Sequence, residues 1–252
     1  MRDGGTPAGF VRLTAGQCDA VARAEHADDA RLMLEEGSLY EAAARDLSAI
    51  RMQGRGVAYA IALPATGTRA VVRHNQHGGT LAGLTRDLFL PPTRAPHELA
   101  VALRLHELGV PTPDVLMYGT SPAPFPFRRS DVVTRQIVGG RDLATFMTWQ
   151  TPNEERETAW AATRALVRMM NDTGVRHHDL NVKNVLIAAS EDGLTAWLLD
   201  VDRVTFGAPG SEEVARGNVE RLLRSARKWR DRHGARYDER ELAELLEPLA
   251  AR

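Results

Sequence analysis

The stretch Val175–Asp202, VRHHDLNVKNVLIAASEDGLTAWLLDVD, decides how the rest of the chain is read. Asp179 stands five residues before Asn184, and Asn181 and Asn184 interrupt any apolar period, so this run is a loop. Val185-Leu186-Ile187 then reads as a short buried strand and Ala196-Trp197-Leu198-Leu199 as a second, with Glu191-Asp192-Gly193 as the hairpin turn between them. Asp200 follows the second strand directly, so the hairpin carries Asn184 and Asp200 back to the same end. An amide oxygen and a carboxylate brought together suit Mg²⁺, a hard cation that takes oxygen ligands and shares them with phosphate. Asp179, on the same loop as Asn184, is placed to face an acceptor hydroxyl as a base.

Each residue alone has a plainer reading. An Asp or Asn in a loop is usually a turn former, and an Asp after a strand is often a cap. All three in order, with a hairpin of the right length between them, favour the chemical reading. The set resembles the catalytic loop and metal-binding Asp of protein kinases. His177-His178-Asp179 stands for His-Arg-Asp and Asp200-Val201-Asp202 for Asp-Phe-Gly.

Composition narrows the class without naming it. The 252 residues are 43% hydrophobic and 26% charged, ordinary globular material for one domain or a two-lobed unit. A formal net charge of −1 gives no support to a nucleic-acid binder. The single Cys18 excludes an internal disulfide and fits a reducing compartment. No apolar run reaches the length of a membrane span and the N-terminus lacks a hydrophobic signal core, so a cytoplasmic location is expected, with peripheral membrane contact left open.

Toward the N-terminus, Ala15–Ala30 and Arg31–Ile50 are Ala- and Glu-rich and read as helical, which makes 1–50 an N-terminal helical extension. Gly54-Arg55-Gly56 breaks that pattern. Val57–Leu63 and Arg69–Arg73 read as strands around the turn Pro64–Thr68. Gly54 and Gly56 are candidate nucleotide contacts, because glycine lets backbone approach phosphate, although Gly-x-Gly alone is more often an ordinary turn. Ala70-Val71-Val72-Arg73 resembles the Val-Ala-Ile-Lys strand of kinases with Arg73 at the Lys position, within reach of the α/β-phosphates. Glu98, in the helical stretch Pro96–Leu108, is its natural partner; a surface salt bridge is the plainer alternative. A guanidinium fork binds phosphate well but is not interchangeable with Lys.

Residues His74–Pro92 form a polar stretch with His74, His77, Gly78-Gly79 and Arg86, and Arg94 lies just beyond. Such a loop carries specificity or is disordered. No acidic or Cys partner at ligand spacing supports a metal site at His74 and His77. Asp131–Val138 reads as an apolar strand ending at Gly139-Gly140, so 51–138 forms a small lobe closed by a hinge, where backbone groups near Gln136–Val138 would meet adenine. The remainder, 139–252, forms the large lobe. Its helix from Glu154 to Met170 carries the stripe Ala159, Ala162, Leu166, Met169 and Met170. After Asp202 only fifty residues remain, and Glu212–His233 is helical, with Val219, Leu222, Leu223, Ala226 and Trp229 on one face and many arginines elsewhere. There is no room for a large peptide groove, so a small acceptor is expected.

The chain as a whole resembles the lipopolysaccharide kinase family, in particular its 3-deoxy-D-manno-octulosonic acid (Kdo) kinases. The likeness is carried by Gly54-Arg55-Gly56, Val72-Arg73-His74 with Gly78-Gly79, Gly109-Val110-Pro111-Thr112-Pro113, Arg141-Asp142-Leu143, His178-Asp179-Leu180-Asn181 through Asn184, and Asp200-Val201-Asp202-Arg203 with the Arg-rich final helix. Val201 departs from the Phe usual between the two aspartates. The resemblance implies an α+β, protein-kinase-like two-lobed fold, with a small antiparallel-sheet N-lobe and a mainly helical C-lobe. It also implies an enzyme on the inner face of the bacterial inner membrane that uses ATP and Mg²⁺ to phosphorylate the Kdo sugar of a lipid A precursor. The partners expected are then an acidic sugar on a lipid carrier, met by His74, Arg86 and Arg94, and an anionic membrane surface, met by the final helix; no protein partner is inferred. Two other readings stay open here. One is a kinase for an aminoglycoside, a choline-like acceptor or a simple sugar, which the cationic stretch after Arg73 disfavours for cationic acceptors. The other is a nucleotide-binding pseudokinase, for which the Arg at position 73 is the one supporting feature.

Overall fold

The computed structural model describes residues 5–53, 56–75, 87–191 and 193–236. They form two compact units, one of residues 1–100 and 114–136, the other of 101–113 and 137–252.

The first unit is built on an antiparallel sheet. Strands β1 (Phe10–Ala15) and β2 (Cys18–Arg23) pair as a tight hairpin, and Gly16 supplies the left-handed residue its two-residue turn demands, at φ 59°. Strands β3 (Ile50–Gln53), β4 (Val57–Ala62), β5 (Arg69–His74), β6 (Val115–Pro122) and β7 (Arg128–Arg135) complete a seven-stranded sheet in the order β1-β2-β6-β7-β5-β4-β3. Helices α1 (Ala27–Glu35) and α2 (Leu39–Arg45) pack on it, and their Met33, Leu34, Leu39 and Ala43 close a core over Ala20, Ala22, Ile61, Val72, Leu116, Met117 and Val133. A reciprocal capping box between Ser38 and Glu41 starts α2.

The expected helical extension over 1–50 is therefore corrected. Residues 10–15 and 18–23 are strands, the helices are shorter than expected, and β3 begins at Ile50. Helix propensity in this Ala-rich run yields to burial: Ala20, Val21 and Ala22 are covered once β2 pairs with β6, from Asp19↔Thr120 to Ala22↔Met117. The strand expected at Asp131–Val138 ends earlier, at Arg135.

Helix α3 (Ala95–Glu107) contributes residues to both units. It ends in a Schellman arrangement: Gly109 sits at φ 72° and donates to the His106 carbonyl, while Val110 donates to that of Leu105. The rest of the second unit contains β8 (Arg141–Asp142), α4 (Leu143–Phe146), α5 (Asn153–Asp172), β9 (Val175–His177), β10 (Val185–Ser190), β11 (Gly193–Leu198), β12 (Val204–Phe206) and α6 (Glu212–His233). Strands β11-β10-β8 form one small sheet and β12-β9 another. Helix α5 buries Ala159, Trp160, Leu166, Val167 and Met170; Met169, expected on the same stripe, is exposed. Helix α6 buries Val219, Leu222, Leu223 and Ala226, and its Arg224, Arg227, Lys228, Arg230 and Arg232 are exposed.

Candidate active site

In the second unit the hairpin β10–β11 pairs Val185 with Leu198, and the next rung outward is the Leu199 amide donating to the Asn184 carbonyl at 2.9 Å. Asn184 and Asp200 thus leave the same end of the hairpin, as their spacing predicted. Asn184 Nδ2 donates to the Asp179 carbonyl at 2.9 Å, and Asn181 Nδ2 donates to the same oxygen at 2.9 Å. The Asn184 bond fixes the amide's orientation, because only its nitrogen can donate, and it leaves Oδ1 as the group available to a cation. Asp200 sits at φ 58°, ψ 48°, the one left-handed non-glycine among the described residues. That conformation is costly for a residue with a Cβ and is least so for Asp and Asn; such strain gathers at functional sites.

His177 braces this loop from beneath. It is fully buried, its Nδ1 accepts the Asp179 N–H at 3.1 Å, and its Nε2 lies 3.0 Å from the Leu199 carbonyl. A backbone N–H can only donate and a carbonyl can only accept, so the ring is the neutral tautomer with its proton on Nε2. Burial pushes the His177 pKa down, against the opposing pull of the Leu199 hydrogen bond and the nearby Asp200, Asp179 and Asp202 carboxylates.

Helix α6 holds the loop through three polar side chains at helical spacing. Asn218, fully buried, accepts the His177 N–H at 3.0 Å and donates to the Val175 carbonyl at 2.7 Å and to Asn171 Oδ1 at 3.0 Å. Arg221 donates to Asp179 Oδ1 at 3.2 Å, and Ser225 Oγ accepts the Val182 N–H at 3.2 Å. Beside them Arg176 lies against Gly217: a Cβ there would come within 2.2 Å of the guanidinium. Burial, and then the charge of Arg221, lower the Arg176 pKa. Lys183 bridges from the loop to Asp142, which caps α4, at 2.8 Å. The sequence reading missed Asn218, Arg221, Ser225 and Lys183 as loop-holding residues. Their signal was positions 218, 221 and 225, three polar residues along one edge of the apolar stripe of α6.

In the first unit, Arg73 at the end of β5 pairs with Glu98 of α3 and also donates to Asn75 Oδ1 at 3.1 Å. Glu98 is 2% exposed. The plainer reading of this pair as a surface salt bridge is set aside by that burial. His74 is engaged inside the unit: its Nδ1 meets the buried Asp131, and Tyr40 stacks on the ring at 3.6 Å between centroids. Arg94 lies over the Phe89 ring at 5.8 Å. The Gln136 N–H is taken by the Arg69 carbonyl at 3.0 Å, so it is not a donor for adenine; Val138 is exposed. Gly56 falls in a bend ahead of β4, while Gly54, His77 and Arg86 lie outside the described residues.

The donors for a metal are few. Among the described residues no group of three or more His, Cys, Asp or Glu side chains could hold a metal ion. One amide and one carboxylate leave most coordination positions to phosphate and water, which fits Mg²⁺ and not a closed structural metal. No described helix is long and apolar enough to cross a membrane.

Asp179, Asn184 and Asp200, carried by one loop and one hairpin on this fold, match the arrangement of a phosphotransferase of the protein-kinase type. Comparison with known proteins places it more narrowly. The chain belongs to the Lipopolysaccharide kinase (Kdo/WaaP) family, whose model matches residues 45–245. It is 31% identical to a 3-deoxy-D-manno-octulosonic acid kinase of Actinobacillus succinogenes over 77% of this chain and 81% of that protein. A kinase of the same description from Haemophilus influenzae is 29% identical over 77% and 80%. Among solved structures, one described as WaaP in complex with acyl carrier protein matches with a TM-score of 0.55 at 19% identity, covering 88% of this chain and 86% of that one. That likeness supports the protein-kinase-like fold.

Proposed function

We propose that the protein transfers the γ-phosphoryl group of ATP, with Mg²⁺, to a hydroxyl of the Kdo sugar of a lipid A precursor. The observation that carries the reading is the Asn184–Asp179 bond, which ties the metal-facing amide and the base-bearing backbone into one rigid unit. Asp179 accepts the proton of the acceptor hydroxyl as the new O–P bond forms and the bond to the ADP oxygen breaks. Arg221 orients that carboxylate. Asn184 and Asp200 hold the cation, which supplies charge neutralisation to the phosphates. Arg73, fixed by Glu98, is the phosphate-binding cation of the first unit, Gly54 and Gly56 are nucleotide contacts, and backbone groups from Gln136 to Val138, other than the Gln136 N–H, meet adenine.

The Kdo assignment is supported by the family and by the relatives' descriptions. Arg94 and Arg86 are retained as acceptor contacts; His74, held by Asp131 and Tyr40, acts by shaping the site. The exposed arginines of α6 are read as the contact with an anionic membrane on the cytoplasmic face. Because a WaaP structure contains acyl carrier protein, a protein occupant of the same basic face is the second reading. The test is turnover at one ATP concentration of Kdo-lipid A precursor, neutral sugars and aminoglycosides, with Asp179→Asn alongside. Phosphorylation of the Kdo lipid alone, lowered about 10²–10⁴-fold in Asp179→Asn, is expected. Turnover of an aminoglycoside with none of the Kdo lipid overturns the assignment.

A further inference from the structure

Two segments that, Arg94 apart, phosphoryl transfer leaves unused meet at one end of the seven-stranded sheet. The end of β6 and the turn into β7 run Ser121-Pro122-Ala123-Pro124-Phe125-Pro126-Phe127. Beside it, Phe89 and Arg128 exchange two backbone hydrogen bonds of 2.8 Å, which brings Leu90-Pro91-Pro92 alongside the turn. Phe125 is 96% exposed and Leu90 61%. Pro91, Pro92, Pro122, Pro124 and Pro126 are exposed with them. Residues 87–94 and 121–129 hold Arg94, Arg128 and Arg129 against Asp87 alone, and all four flank the apolar tip without interrupting it. Arg128 donates to the Gln17 carbonyl at 3.2 Å and Arg129 to Asp87 at 2.6 Å, so the collar is anchored to the sheet.

We propose that this tip seats in the interface of a bilayer containing anionic lipid. Phe125 and Leu90 enter the boundary between headgroups and acyl chains, and Arg128 and Arg129 face lipid phosphates. Backbone chemistry selects lipid over a protein partner. A backbone N–H without an acceptor is costly in an apolar medium. Five of the exposed tip residues are prolines and have none, and the Phe127 N–H is already given to the Pro124 carbonyl at 2.9 Å, so Leu90, Ala123 and Phe125 are the tip residues whose N–H groups must meet headgroup or water acceptors. A protein interface would forfeit the hydrogen bonds such surfaces ordinarily make, whereas a lipid interface asks for few donors. Proline also holds the tip in shape, so little conformational entropy is lost on insertion. The proposal rests on the lipid-borne acceptor of the proposed function only for its purpose, since it places the enzyme on the surface that holds the acceptor.

The test uses the full chain and vesicles without nucleotide or sugar, so its failure and that of the kinase assignment are separate results. Wild type, Phe125→Ser and Phe125→Trp are sedimented with phosphatidylcholine vesicles, with and without phosphatidylglycerol. Wild type is expected to bind the anionic vesicles, and Phe125→Ser to bind about tenfold more weakly with an unchanged Tm, the order expected for removing one buried aromatic side chain. In Phe125→Trp the emission added over wild type is expected to shift to shorter wavelength and to be quenched by lipid brominated near the headgroup end of its chains. Failure of wild type to bind anionic vesicles overturns the proposal. Equal binding by Phe125→Ser, or a Trp at position 125 that keeps its aqueous emission on bound protein, overturns it too.

Discussion

The Arg221 guanidinium reaches Asp179 Oδ1 at 3.2 Å from a helix 42 residues further along the chain. Both side chains are about one-third exposed, so the pair contributes little to stability. What it fixes is the direction of the carboxylate proposed to meet a hydroxyl proton. Arg221→Ala is expected to lower kcat by between about tenfold and about 10²-fold through misplacement of the base, while unfolding free energy changes by less than about 1 kcal/mol. Arg221→Lys should recover part of the loss. Steady-state kinetics at saturating ATP beside a denaturant titration separates the two effects, and an unchanged kcat in a folded Arg221→Ala protein removes Arg221 from this role.

Asp200 holds a left-handed backbone, and its side chain caps nothing in the short 3-10 turn that follows. Asp200→Gly therefore relieves strain while deleting a proposed metal ligand. It is expected to raise stability by about 0.5–1 kcal/mol and to abolish turnover. Thermal unfolding read together with phosphate transfer checks both. A destabilised Asp200→Gly protein would mean that the carboxylate serves the fold.

How far the chain could be read from its residues depended on whether the deciding contacts were local. The β10–β11 hairpin was legible because strands and turn lie within one short run, and α6 was legible from Glu212 to His233 because apolar spacing and basic last-turn residues mark it. The Arg73–Glu98 pair was legible only through resemblance, since 25 residues separate the two. The β1–β2 hairpin was missed because its alanines favour helix, and what makes it a strand is the distant β6; Gly16 was the local clue. Asn218 escaped notice for a similar reason. Helical spacing gives its face, but nothing local says that it meets the His177 amide 41 residues earlier.

Arg73 and Glu98 are expected to behave as one unit. Glu98 is buried and Arg73 mostly so, and taking the guanidinium away removes a charge partner from a carboxylate that has little access to water. Arg73→Met should cost about 3 kcal/mol of stability, and Glu98→Gln less. In the double variant the costs should fall short of their sum by more than about 1 kcal/mol. The same cycle measured on ATP affinity asks whether the pair also serves the nucleotide. Additive effects in both measurements would dissolve the pairing.

His177 gives the chain an acid-sensitive brace. Its Nδ1 must stay unprotonated to accept the Asp179 N–H, and burial already holds its pKa below the ordinary value. The unfolded chain, with an imidazole pKa of about 6.5, therefore binds this proton more readily than the folded one. Stability from His177 is full above about pH 6.5 and is lost as pH falls from there toward the folded pKa, with a slope of at most about 1.4 kcal/mol per pH unit. His177→Gln can keep a donor to the Leu199 carbonyl and cannot take up a proton. It is expected to be less stable than wild type at pH 8, through poorer packing, and to show a shallower decline between about pH 6.5 and 5. Urea unfolding of both proteins across that range is the measurement. Parallel curves would mean that some other group carries the acid sensitivity, and that the buried ring titrates no differently in the folded and unfolded chain.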